Sequence, residues 1–114
     1  MQIYIICAVR NASSERTEEI RAYVRKQRAL GHHVHFPPDD VCQDDPTGET
    51  ICHAHLAAMQ TADEVHVFWD VKSSGSHFDL GMAYALGVKI VPVSCEHPDG
   101  AEKSYWKVMQ CMSG

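Results

Sequence analysis

Three apolar runs constrain the architecture more than any other feature of the chain. "QIYIICAV" (2–9), "DEVHVFWDV" (63–71) and "VKIVPV" (88–93) are short and rich in β-branched and aromatic residues. Most positions in them are apolar, which reads as strands covered on both faces, as in a parallel sheet. Helical segments separate them. "NASSERTEE" supplies hydroxyl caps and early acids, Ile20, Tyr23, Val24 and Leu30 then recur at helical spacing, and Gly31 suits a helix stop. "HHVHF" (32–36) is a short further strand, and Glu49 to Thr61, "SHFDLGMAYAL" (76–86) and "KSYWKVMQCM" (103–112) are the other helices. The Pro- and Asp-punctuated stretch 37–48 is a loop long enough to act as a lid or binding loop, and a second loop runs from Ser94 to Glu102.

The order β-α-β-(loop)-α-β-α-β-α predicts an α/β fold, an open parallel sheet of four to five strands flanked by helices, in one domain over residues 1–114. Ligands of such sheets sit beyond the carboxyl ends of the strands, where the strand order reverses. The segments lining that edge are Ala8 to Ala12, Phe36 to Asp40, Trp69 to Ser76 and Val93 to His97.

Bulk properties narrow the partners. A formal net charge of −5 without a block of Lys or Arg argues against a nucleic acid polymer, which needs a basic footprint. A small anion held by one Arg and backbone N–H groups remains open. Five scattered cysteines without a CxxC pair read as reduced thiols in a cytoplasmic setting. The N-terminal apolar run is too short for a signal peptide, and no stretch is long enough to span a bilayer, so no membrane partner is expected. The histidines cluster in "HHVHF" and "CHAH". On a strand His33 and His35 share one face, and on a helix His53 and His55 do not face each other. Neither is a zinc-binding i, i+4 pair, so no metal is expected.

Asp79 is the sole acid in "SSGSHFDLGMAYALG" (73–87). Ser76 to Asp79 has the spacing of a capping box, which would make Asp79 a helix-start acid. Pointed at the crevice instead, its carboxylate could attack a sugar carbon and form a glycosyl-enzyme intermediate. Tyr4, mid-strand, reads as core with its hydroxyl bonded somewhere. Arg10, just past that strand, is either a solvated cation or a phosphate ligand. Trp69 and Phe36 end strands at the ligand edge and could stack on a base. Tyr105 and Trp106 read as packing residues of the last helix, on the sheet or in a dimer contact.

"IYIICAVR", "ICHAHLAAMQTADEVHVFWD" and "SSGSHFDLGMAYALGVKIVPV" together resemble the nucleoside 2-deoxyribosyltransferase family, which includes the deoxynucleoside monophosphate N-glycosidases. The resemblance covers roughly Gln2 to Val93. It implies a flavodoxin-like fold, homo-oligomers, no cofactor, and cleavage or transfer at the N-glycosidic bond of a small nucleoside or nucleotide. It implies Asp79 as nucleophile where the family has Glu, and Tyr4 as its hydrogen-bonded positioner. His55 stands where the family has an acid and could protonate a departing base. Arg10, Ser73 and Gly75 fall at substrate-binding positions, Arg10 and Ser73 near a phosphate. Cys7 and Ala8 replace smaller residues. The rival reading is a nucleotide-binding module that kept the crevice and lost the chemistry.

Overall fold

The computed structural model describes residues 1–10, 12–96 and 103–113. Within them run β1 (Gln2–Ile6), α1 (Ser14–Ala29), β2 (His33–His35), α2 (Pro37–Asp40), α3 (Glu49–Gln60), β3 (Glu64–Asp70), α4 (Ser74–Leu86), β4 (Lys89–Glu96) and α5 (Tyr105–Ser113). The four strands form an all-parallel sheet in the order β2-β1-β3-β4. The expected α/β architecture is observed. Strand order reverses between β1 and β3, which makes the crevice past their carboxyl ends the natural ligand position.

Alternation along β1 splits the core in two. Tyr4 and Ile6 join Val65, Val67, Trp69, Met59, Leu80, Ala83 and Met109 beneath α3, α4 and α5. Ile3, Ile5 and Cys7 join Ile20, Val24, Val34, Phe36 and Phe68 beneath α1. We call these the front and back faces.

Several expected boundaries shift for local reasons. Leu30 is 64% exposed, because α1 ends at Ala29 and the chain turns through Gly31 at φ 94°. The 37–48 segment contains the short helix α2, started by Pro37 at its first position. β4 extends to Glu96, beyond the expected Val93. Pro92 lacks an N–H, and the ladder with β3 shifts register just after it, with Val67 opposite Pro92 and Phe68 opposite Ser94. His97 and the rest of the expected 94–102 loop beyond Glu96 lie outside the described residues, as does Asn11.

The first turn of α3 is fastened from outside. Its N-cap, Gly48, has no side chain to offer and adopts φ 83°. Asp45 Oδ2 accepts the Ile51 N–H at 3.1 Å and Oδ1 accepts the Thr47 N–H at 3.3 Å. These backbone donors, Ile51 foremost, hold the Asp45 carboxyl below its usual range.

Candidate active site

Tyr4, His55 and Asp79 come from β1, α3 and α4 and meet on the front face. The expected helix start at Ser76 is corrected by the structure. The N-cap of α4 is Ser73, whose Oγ accepts the Ser76 N–H at 3.2 Å. The helix therefore begins three residues earlier, and Asp79 falls in its second turn, where it caps nothing. One turn beyond Ser76 on the inner face, it is only 7% exposed.

Its carboxylate is met from two sides. Tyr4 Oη donates to Oδ2 at 3.0 Å. His55 Nδ1 lies 3.1 Å from Oδ1 and 3.0 Å from Oδ2. A carboxylate accepts, so the proton of this contact sits on Nδ1. Burial, reinforced by the Asp79 charge, pushes the Tyr4 phenol well above its ordinary range, which keeps it a donor at neutral pH. Burial and the same charge push the Cys7 thiol up to about 12, so Cys7 is no thiolate nucleophile.

The opposite nitrogen of His55, Nε2, is buried without a hydrogen-bond partner, as are Ser76 Oγ and His35 Nε2. His35 follows from pairing: it lies opposite Tyr4 in the β1–β2 ladder and stacks on its ring at 5.2 Å with a 19° interplanar angle. His55 meets the same ring edge-on at 5.8 Å. Sequence reasoning missed His35, although parity with Tyr4 across the ladder is the signal that finds it.

Arg10 and Ser73 line a separate cavity of about 410 Å³ at the switch point, together with Ala8, Ser13, Asp70, Lys72 and Glu96. Its charged lining mixes Arg10 and Lys72 with Asp70 and Glu96. Arg16, another residue the sequence did not single out, pairs with Glu96 at 3.4 Å and packs its guanidinium over Phe68 at 5.5 Å. Gly75 sits in the first turn of α4, and a Cβ added there would meet nothing within 4 Å.

The two proposed stacking rings are not open platforms. Phe36 shares parity with Val34, so it turns to the back face and is 1% exposed in the α1 core. Trp69 is on the front face but 2% exposed, packed against His77 and Tyr105 at centroid distances of 4.6 and 6.3 Å. Trp106 packs against the front core as expected, and Tyr105, 58% exposed, lays its ring against Trp69 and His77. Among the described residues no three His, Cys, Asp or Glu side chains group as metal ligands, and no helix is long and apolar enough to cross a membrane.

Fold and site together define an open-sheet α/β protein with a buried carboxylate-phenol-imidazole group beside its switch point. No protein-family model and no curated protein sequence matches the chain. Solved structures do. A CMP N-glycosidase of Clostridium botulinum, BcmB, superposes with a TM-score of 0.68 at 17% identity, over 99% of this chain and 83% of that one. A 2-deoxyribosyltransferase of Bacillus psychrosaccharolyticus superposes with a TM-score of 0.71 at 19% identity, over 98% and 82%. The chain shares the overall fold of these two enzymes.

Proposed function

We propose that the protein cleaves or transfers at the N-glycosidic bond of a small nucleoside or nucleoside monophosphate. The observation that carries this reading is the Tyr4 and His55 contact with Asp79, three side chains from three elements gathered on one buried carboxylate. In this scheme an Asp79 oxygen attacks C1′, the C1′–N bond breaks, and its electron pair leaves with the base. Tyr4 fixes the attacking carboxylate. His55 as imidazolium would hold its Nδ1 proton in the hydrogen bond to Asp79 and deliver the other, from Nε2, to the departing nitrogen. Water or a second base then takes C1′ and frees Asp79.

The resemblance places Glu where Asp79 stands, and Asp is about 1.5 Å shorter by bond geometry. His55 meets the carboxylate through Nδ1 at 3.0 Å. Arg10, Lys72 and Ser73 support a phosphate or sugar hydroxyl in the switch-point cavity. The free cysteines support a reducing, cytoplasmic setting. Exposed Phe78, Tyr84, Tyr105, Val108 and Met112 on α4 and α5 support self-association, which sedimentation would test.

The decisive experiment incubates the protein with purine and pyrimidine nucleosides and their 5′-monophosphates, with and without a second free base, and separates the products by chromatography. Free base from the wild type and none from Asp79→Asn is the expected result. Equal release from both overturns the assignment. Incorporation of the added base identifies a transferase, and its absence a hydrolase.

A second reading, nucleotide binding without turnover, draws on one observation: both Asp79 oxygens are already engaged and nearly sealed from solvent. Calorimetric binding of a monophosphate with no base released over hours would select it.

A further inference from the structure

His35 belongs to none of the roles above, yet its surroundings are those of a ligand-binding side chain. Its Nε2 is buried and unpartnered. A buried polar atom without a partner is costly and uncommon in native folds, and sites that receive a ligand are one place it persists. The ring is held in orientation by stacking on Tyr4. Its charge environment includes both Asp79 and His55, and Asp40 lies close as well. Two imidazoles thus flank the Tyr4 ring, one on its face and one on its edge, each with a bare Nε2.

Position decides what such a pair would contact. Arg10, Lys72 and Ser73 gather past the ends of β1 and β3, by the start of α4. His35 is on β2, level with Tyr4 and on the other side of β1 from β3. A substrate with its anomeric carbon at Asp79 and its charged end toward Arg10 therefore extends its remaining substituent toward β2. That substituent is the base. Burial, the largest influence, lowers the basicity of His35 and keeps its ring neutral at physiological pH. A neutral imidazole is a poor phosphate ligand. It matches the edge of a heterocycle, where ring nitrogens and exocyclic groups alternate as donors and acceptors.

We propose that His35 is a substrate-recognition residue whose Nε2 exchanges a hydrogen bond with the heterocyclic base while His55 attends the scissile bond. This rests on the glycosyl-transfer reading for the identity of the base-bearing ligand. The test compares wild type, His35→Phe and His35→Gln, all checked for an unchanged thermal transition. Phe keeps a ring against Tyr4 and removes the nitrogen, and Gln restores a polar end.

For base release from the nucleoside and monophosphate panel, His35→Phe should lose roughly ten- to a hundredfold in kcat/KM, and His35→Gln should recover part of it. Ribose 5-phosphate, which lacks a base, should bind both variants like the wild type by calorimetry. Equal kcat/KM for wild type and His35→Phe overturns the proposal, and so does a matching loss in ribose 5-phosphate binding. If the wild type binds monophosphates but releases no base, the glycosyl-transfer reading fails. The same calorimetric contrast between monophosphate and ribose 5-phosphate then decides His35. Binding of none of these probes by the wild type overturns both.

Discussion

The two faces of the sheet carry the same three chemical groups in different states of completion. On the front, the Tyr4 phenol and the His55 imidazole meet the Asp79 carboxylate. On the back, the Tyr23 phenol lies 2.6 Å from His66 Nδ1, and His66 Nε2 lies 2.9 Å from Glu64. Glu64 is met in turn by Lys89 at 3.5 Å. In the back group both imidazole nitrogens are used, and the chain of contacts ends on an exposed ammonium. In the front group the carboxylate sits in the middle, and the imidazole keeps a bare nitrogen among further unpartnered atoms of His35 and Ser76. A tyrosine, a histidine and an acid do not by themselves make a reaction centre. Completed, they tie α1 to the sheet; on the front, Asp79 draws α3 and α4 to β1 and leaves buried unpartnered atoms around it.

Paired substitutions test that contrast most severely at the acids. Asp79→Asn should lower base release at least about a thousandfold. Glu64→Gln should leave kcat/KM within about twofold while costing about 1–2 kcal/mol of unfolding free energy in urea titration. Loss of turnover in both variants would erase the distinction between the faces. The phenols come next. Tyr4→Phe should lower kcat roughly ten- to a hundredfold, because the carboxylate loses its fixed donor. Tyr23→Phe should cost about 1 kcal/mol of stability and leave kcat unchanged.

A smaller effect lies in pH. The hydrogen bond from His66, with Lys89 beside it, holds the Glu64 carboxyl below its ordinary 4.5. A depressed carboxyl contributes stability that is present above the unfolded-state value and lost as pH falls through the folded one. Denaturant midpoints should therefore decline below about pH 4.5 more steeply in wild type than in Glu64→Gln. Asp39, held low by its hydrogen bonds with Arg21, retains part of the slope in the variant. The smallest effect is at the start of α3. Asp45→Ala should speed amide exchange at Ile51 and Thr47, with a slight drop in Tm.

The architecture was legible in the sequence because three of the four strands are compact apolar runs and the crossovers between them have helical spacing. Asp79 and Tyr4 stood out in their own stretches, His55 and the role of each came through the resemblance, and the structure brings those three together. Other features depended on packing that no local pattern reports. Of Ser73 and Ser76 only the latter has an acid three residues on, so capping-box spacing placed the helix start there, whereas the structure caps the helix with Ser73. Phe36 looked like a rim aromatic, but one residue of parity sends it to the back and brings His35 to the front. Arg10 and Ser73 share a cavity as the edge rule implied, whereas the charge balance within it comes from Asp70 and Glu96, on other strands.

The Asp45 clamp has a consequence for how this site could change. A helix that starts from a carboxylate three residues upstream of its own cap takes its footing from the preceding loop, so the imidazole it carries has an address written partly in residues 37–48. Altering the length of that loop should redirect substrate choice before it harms the fold. Measuring product ratios across loop-length variants against their melting temperatures would reveal it. Novelty could enter this scaffold by a side door, with the carboxylate and phenol left as they are.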